Sequence, residues 1–434
     1  MGVREWRPIG ESMALLTIFT RHITIQYTPF VTYEHACRNY AKHSRYWGAI
    51  FRSPLTMIGL IHHGPSDTDG VAPSVSPALY SVGGTPAVTR AMNELTSVVD
   101  EMLLLTDDAD VRSAAARADD SVAVVPDLDA VRDRFADAHD RLIVASASTH
   151  VGRSDLRSLT ACTDAVLRSA AIPNGHPPHE MYSIDFPLGD AQPIDGDIDS
   201  IRDLVDALSA RTHESELTAD RLYDVARPWD LLAATEHVLD GIDRSIEGTV
   251  HPTADCSGSV VVEPGARIGA GVVIEGPAFV ARNASIGPNA YVRGASYLGE
   301  NCHVGHGVEV KNSVLFSDAR VPHLSYVGDS VVGPSANLGA GTVVANLRHD
   351  GEPVALTHAG KRASTGRRKF GAVVGENARL GIGTRVNAGV SLSPGSTTAP
   401  GETVLRDVSR DGEERDDPER PVEGGEHAAT DTTN

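Results

Sequence analysis

The chain has 434 residues and a formal net charge of −20, enough length for two or three domains with cores of their own. Lysine occurs only as Lys42, Lys311, Lys361 and Lys369. There is thus no basic stripe for a nucleic acid, and so acidic a surface suits solubility at high salt, as in a halophile's cytoplasmic protein. No apolar run reaches the ~18 residues of a membrane-spanning helix, no secretory leader is recognisable, and Cys37, Cys162, Cys256 and Cys302 form no CxxC pair, so neither a zinc ribbon nor a disulfide framework is indicated.

Residues 1–56 stand apart. They hold seven Arg/Lys against three acids, a net of +4, which leaves −24 on the rest of the chain. A second potential start, Met57, opens directly onto "MIGLIHHG", so the first 56 residues read as an atypical extension or a misassigned start. From 57 to 245 strand and helix patterns alternate. "MIGLI" is a strand, "PAVTRAMNELTSVV" a helix, "DEMLLLT" a strand, "DLDAVRDRFADA" a helix and "RLIVASA" a strand. A helix around "LTACTDAVLRSAA", a strand around "EMYSIDF" and two helices, "DIDSIRDLVDALSA" and "PWDLLAATEHVLDGI", complete the region. This alternation predicts a Rossmann-like α/β domain with a largely parallel sheet.

Over 246–408 the period changes to six. Val250, Cys256, Val262, Ile268, Ile274, Val280, Ile286, Val292, Leu298, Val304, Val310 and Phe316 follow one another at that spacing. Small residues recur two positions earlier, at Ala266, Ala284, Ala290 and Cys302. This is the hexapeptide repeat of a parallel β-helix, in which three hexapeptides make a triangular coil and the aliphatics stack inward. The count slips after Phe316, since the next step falls on Pro322, and resumes at Val332, Leu338 and Val344. "RHDGEPVALTHAGKRASTGRRKFG" interrupts it again before Val374, Leu380, Val386 and Leu392. Two protrusions are therefore expected, near 317–325 and 347–370. The tail 409–434 is acidic, aperiodic and expected to be disordered.

The run "HLSYVGDSVVGPSANLGAGTVVAN", followed by "NLRHDG" and "TGRRKFG", resembles the acetyltransferase domain of the bifunctional N-acetylglucosamine-1-phosphate uridylyltransferase/glucosamine-1-phosphate acetyltransferase family. The likeness is to its archaeal sugar-1-phosphate nucleotidyltransferase/acetyltransferase branch, whose domain junction "ARPWDLL" also resembles. It implies a left-handed β-helix, a homotrimer with active sites between neighbouring copies, acetyl-CoA as co-substrate and an amino-sugar 1-phosphate, above all glucosamine 1-phosphate, as acceptor. The product would feed nucleotide-sugar (UDP-N-acetylglucosamine) synthesis.

By that resemblance His323 is the catalytic histidine. Histidine titrates near neutrality, which suits a base that takes a proton from the attacking amine. A lone loop histidine would otherwise be an ordinary hydrogen-bonding residue. Arg293 and Lys311 match the phosphate- and sugar-contacting pair. They are eighteen residues apart, one full coil, so they stack on one face, where Arg offers a fork and Lys a point charge. The bland alternative is two solvated charges. Tyr326 matches a sugar-contacting tyrosine, and Asn337 and Asn346 match two amides that hold the sugar and the amine. Asparagine also suits β-helix corners for its tolerance of left-handed backbone angles. Lys361, Arg362, Arg367, Arg368 and Lys369 form a basic cluster that could attract the phosphates of acetyl-CoA, with Lys361, Arg367, Arg368 and Lys369 as the cofactor-binding candidates. A lysine that many members of the family carry after the second asparagine is absent, Glu352 and Ala355 lying there, and Arg348 or the basic cluster is left to replace it.

The first domain departs further. The family opens with a Gly-rich loop bearing an arginine, and a lysine follows, to hold nucleotide phosphates. Here the loop reads "HHGPSDTDGVAP", with Asp67 and Asp69 in place of cations, Pro77 at the lysine position and no lysine from 43 to 310. The strand expected to carry a metal-binding aspartate reads "LIVASAST". The domain is read as a degenerate nucleotidyltransferase, and Mg2+ is expected only if it is active. Three alternatives remain beside acetyl transfer: retained nucleotidyl transfer, a trimeric scaffold or regulatory subunit with both sites decayed, and a zinc carbonic anhydrase using His303 and His306. No metal site is assigned.

Overall fold

The computed structural model describes residues 4–9, 12–19, 22–26, 56–63, 74–135, 140–162, 165–169, 178–185, 201, 203 and 215–409. The expected tail, the loop with Asp67 and Asp69, and nearly all of the helix expected over "DIDSIRDLVDALSA" lie outside them. The chain divides into two units, Met1–Leu55 and Thr56–Asn434. The described part of the first is an antiparallel meander, Arg4–Ile9 pairing with Ser12–Phe19 and that strand with His22–Gln26.

The second unit opens with a seven-stranded sheet. At its centre Thr56–His62 runs parallel to both Glu101–Leu105 and Asp140–Ser146. Its run of buried residues, Ile58, Leu60 and Ile61, fits a strand covered on both faces. Glu180–Asp185 is antiparallel to Asp140–Ser146 and to Ala165–Ser169, so one half of the sheet is mixed. The segment read as one helix around "LTACTDAVLRSAA" is instead the helix Arg153–Ala161 followed by the strand Ala165–Ser169. Its Ala165, Val166 and Leu167 are all buried, and short apolar runs are where helix and strand patterns look alike. The helix Ala109–Ala118, capped by the Asp108 carboxylate, had no strong apolar period and was not anticipated.

After the junction helix Pro228–Asp240 the chain winds into a three-sided parallel β-helix. Three sheets of eight, seven and eight strands form its faces. The first face starts at Ser245–Ile246, the second at Thr249–Val250 and the third at Asp255–Ser257. Middle or last strand residues such as Ile274, Val292, Val310 and Val327 point inward and make one continuous aliphatic core.

The register slip is not a protrusion. Tyr291 pairs with Glu309, eighteen residues on, but Glu309 pairs with Tyr326, seventeen on. The corner Lys311–Asn312–Ser313 is one residue shorter than Arg293–Gly294–Ala295–Ser296, as the pairing of Tyr297 with Val314 requires. Leu315, not Phe316, therefore enters the β-helix core, and Phe316 faces outward into a second cluster. Residues 320–323 are a regular strand of the second face, so the excursion expected at 317–325 does not exist. The later interruption is real: Val331 pairs with Val373, and between them lies the hairpin of Ala355–His358 with Lys361–Ser364.

The outward side of the first face is apolar and covered. Tyr297, Phe316 and Val373 pack in one cluster with Tyr80 and Val82 of the α/β part, Trp229 and Leu232 of the junction helix, and Leu356 and Phe370 of the hairpin segment. Tyr80 meets Phe316 edge-on at 4.9 Å. The turn Gly83–Gly84 lies so close that a Cβ on Gly84 would sit 2.3 Å from the Phe279 ring. This covering leaves the second and third faces to carry chemistry.

Candidate functional site

Strand alternation puts Arg293 and Lys311 on the outside of the third face while Val292 and Val310 point in. They pair in register on adjacent coils, as the eighteen-residue spacing predicts. Both already face carboxylates. Arg293 donates to Glu309 Oε1 at 2.9 and 2.8 Å and lies 5.7 Å over the Tyr291 ring. Lys311 Nζ donates to Asp329 Oδ2 at 2.6 Å.

Asp329 was not singled out from the sequence, yet it organises the face. Its carboxylate is almost wholly buried, and a buried charge must be paired. Besides Lys311, Asn346 Nδ2 donates to Oδ2 at 2.5 Å, and Asn312 Nδ2 donates to Oδ1 at 3.0 Å. Asn346 also donates to the Tyr326 hydroxyl at 3.1 Å. Burial, and then the Asp329 and Glu309 charges, hold the Tyr326 phenol above its ordinary range. Asn312 (φ 47°) and Asp329 (φ 50°) are left-handed corner residues of adjacent coils, stacked by the Asp329 N–H donating to the Lys311 carbonyl at 2.8 Å. The shared shortened corners, Lys-Asn-Ser and then Gly-Asp-Ser, were the sequence signal that could have found them.

His323 ends the strand Arg320–His323, in register with His306 one coil below. It sits exposed on the corner that turns, through the left-handed Leu324, onto the third face at Tyr326. Its carbonyl accepts from Gly341 N–H at 2.9 Å and Ser325 Oγ at 2.8 Å, which fixes the backbone beneath the imidazole. The structure thus brings Arg293, Lys311, Tyr326 and Asn346 onto one face with His323 at its edge. Asn337 is placed elsewhere, on the second face between Arg320 and Arg379.

The basic cluster is divided. The Arg367 guanidinium turns inward to Glu236 of the junction helix, with one contact at 3.1 Å and a second, shorter one. Lys361, Arg368 and Lys369 are exposed, and Arg368 Nε donates to the Gly351 carbonyl at 3.3 Å. Arg348, the candidate substitute for the family's missing lysine, pairs locally with Asp350. Of the histidines in the zinc alternative, His303 faces Ser285 Oγ at 2.9 Å and His306 faces the Pro288 carbonyl at 3.3 Å. No group of three metal-type ligands converges among the described residues.

At the carboxyl end of the central strand of the α/β part, His63 bridges two hydroxyl groups. Its two ring nitrogens lie 3.1 Å from Thr106 Oγ1 and 2.7 Å from Ser76 Oγ. In doubly wound sheets ligands sit outside the carboxyl ends of the strands. Beside His63, burial first and then the nearby His179 push the His62 imidazole down to about 4.

A stack of hexapeptide coils with cations, amides, a phenol and a corner histidine on one face defines a hexapeptide-repeat protein with one polar outer face. The family model described as the GMPPB C-terminal domain matches residues 274–396, within that stack. The chain is 37% identical over 184 residues to a "Bifunctional protein GlmU" of Methanococcus vannielii, covering 42% of this chain and 44% of that protein. It is 39% identical over 185 residues to a "Bifunctional sugar-1-phosphate nucleotidylyltransferase/acetyltransferase" of Sulfurisphaera tokodaii, covering 42% and 46%. It is also 39% identical over 185 residues to a "Bifunctional protein GlmU" of Methanocaldococcus jannaschii, covering 42% and 45%. These matches span less than half the length of each relative. A solved nucleotidyl transferase from Methanothermobacter thermautotroptrophicus aligns at 16% identity and a TM-score of 0.28, over 41% of this chain and 90% of that one, a likeness that carries no argument.

Proposed function

We propose that this protein is an acetyl-CoA-dependent N-acetyltransferase acting on an amino-sugar 1-phosphate, with glucosamine 1-phosphate the first acceptor to test. The observation that carries the reading is the third face itself, where Arg293, Lys311, Tyr326 and Asn346 share a polar surface that ends at the exposed His323. The name of the Sulfurisphaera tokodaii relative joins sugar-1-phosphate and acetyltransferase activities, which supports the same chemistry here.

In this reading Arg293 and Lys311 hold the acceptor's phosphate, sharing their charge with Glu309 and Asp329. Tyr326 and Asn346 hold the sugar. The unprotonated amine attacks the thioester carbonyl carbon, so a C–N bond forms and the C–S bond breaks. His323 takes the amine proton and returns it to the departing thiolate. Of the cluster assigned to acetyl-CoA, Lys361, Arg368 and Lys369 present solvent-facing charge, while Arg367 has a structural partner.

A homotrimer fits the exposed apolar residues along the same edge. Leu324 is 65% and Ile382 63% exposed, both on the corner between the second and third faces, where a neighbouring copy would cover them. A neighbouring copy also accounts for Asn337, which serves a site shared between copies. The α/β part is proposed to have lost nucleotidyl transfer, because its opening loop lacks the family's arginine and carries Asp67 and Asp69, and Pro77 stands at the lysine position. Mg2+ enters only if that part is active. No described helix is long and apolar enough to cross a membrane, and we place the protein in the cytoplasm.

Coenzyme A release from acetyl-CoA and glucosamine 1-phosphate tests the reading. His323→Ala is expected to slow it by about 10²–10⁴-fold. Undiminished release in that variant would overturn the assignment.

A further inference from the structure

The third face is joined to the α/β part by one continuous polar chain. From Tyr326 it runs through Asn346 to Asp329, which holds Lys311, then through Asn312 to Glu236 on the junction helix, and ends at Arg367. Asn312 Nδ2 is the central link, donating to Asp329 Oδ1 at 3.0 Å and to Glu236 Oε1 at 2.7 Å. We propose that Glu236 is a positioning residue for the acceptor site. Through Asn312 and Asp329 it fixes the Lys311 ammonium and the Asn346 amide, so that the α/β part serves as a brace for chemistry on the β-helix.

Three observations make the coupling specific. First, the shortened corner stacks Asn312 and Asp329 on adjacent coils. An eighteen-residue coil would insert a residue between Asn312 and Ser313. Second, Asp329 Oδ2 accepts from both Lys311 and Asn346, so a rotation of this carboxylate moves both groups at once. Third, Glu236 comes from a helix anchored in the shared apolar cluster by Trp229, Leu231 and Leu232, which makes it a rigid acceptor. A buried polar network fixes geometry where its members find partners; Glu236 is the partner that Asn312 and the Arg367 Nη atoms share, although Arg367 Nε, also buried, has none among the described residues.

The purpose of this brace rests on the acetyl-transfer reading, but its geometry can be tested without activity. The chain has four lysines, so acetic anhydride labelling of the full-length protein, read by peptide mass, gives the reactivity of Lys311 with Lys361 as internal reference. Glu236→Ala is expected to raise Lys311 labelling several-fold. Glu236→Gln keeps an oxygen for Asn312 and is expected to stay near wild type, although it loses the charge that pairs with Arg367. Where acetyl transfer is active, Glu236→Ala also raises KM for glucosamine 1-phosphate and leaves KM for acetyl-CoA unchanged. Unchanged Lys311 labelling in a folded Glu236→Ala protein would overturn the proposal, and so would equal effects of Ala and Gln, which would reduce Glu236 to an ion-pair partner. If Glu236→Ala does not fold, Asn312→Ala carries the same expectation and the same refutation. Failure of the wild type to release coenzyme A sinks the functional reading and leaves the labelling result standing.

Discussion

Single side chains show most clearly what sequence can and cannot convey. Arg293 and Lys311 were legible because one coil of spacing must stack them. Asp329 was not, because its role comes from a buried contact with residues 17 and 18 positions earlier, Asn312 and Lys311. Arg367 looked like one of five similar cations, and only the fold shows that it turns to Glu236 rather than to solvent. His62 gives a prediction at this scale. Its folded pKa of about 4 lies below the ordinary 6.5, so the unfolded chain takes up the proton first. Its contribution to stability is complete above about 6.5, is lost as pH falls towards 4, and is level below that. The half-buried Asp230, pushed up to about 7 by desolvation against the pull of Arg227, acts the other way, with stability lost as pH rises from about 4 to 7. The test is therefore a signed difference between proteins: on going from about pH 7 to about pH 4.5 the denaturant midpoint should move upward in His62→Gln relative to its movement in wild type, because the His62 loss is gone and the Asp230 gain remains. An identical pH dependence would contradict the burial of a neutral imidazole.

Among the elements, the coils declared themselves because stacking demands an aliphatic at every sixth residue, and Val292, Val310 and Val344 all lie inside as counted. The count failed where its own unit changed. At the seventeen-residue coil the inward position moves to Leu315 and Phe316 joins the inter-domain cluster, while a fixed period of six reads the same segment as an interruption. The strand bearing His323 is thereby regular, and it is supported by a close approach from below. A Cβ on Gly305 would lie 1.7 Å from the Pro322 carbonyl oxygen, which is backbone and cannot swing aside. Gly305→Ala should cost about 1–3 kcal/mol and lower the thermal midpoint. An unchanged midpoint would mean that the coils slide more easily than their ladder of hydrogen bonds implies.

For the molecule from Thr56 onward, the α/β part and the β-helix share one apolar cluster across the first face. Sequence patterns named the two architectures, and the resemblance of "ARPWDLL" marked the segment between them, but not the covering of the first face, because Tyr297, Phe316 and Val373 read as outward positions with nothing to say what covers them. A shared core predicts that both parts unfold together. Trp229→Ala, removing a buried indole from the junction, should cost about 3–5 kcal/mol and split one calorimetric transition into two. A single unshifted transition would show that the covering contributes little. The third face is proposed to transfer the acetyl group of acetyl-CoA to the amine of an amino-sugar 1-phosphate, and the most direct measurement is the product itself. With carbon-13 acetyl-CoA and glucosamine 1-phosphate, the wild type is expected to yield labelled N-acetylglucosamine 1-phosphate by mass spectrometry, and His323→Ala almost none. Absence of that product from the wild type across a panel of amino-sugar 1-phosphates at high salt, or its equal formation by His323→Ala, would contradict the account.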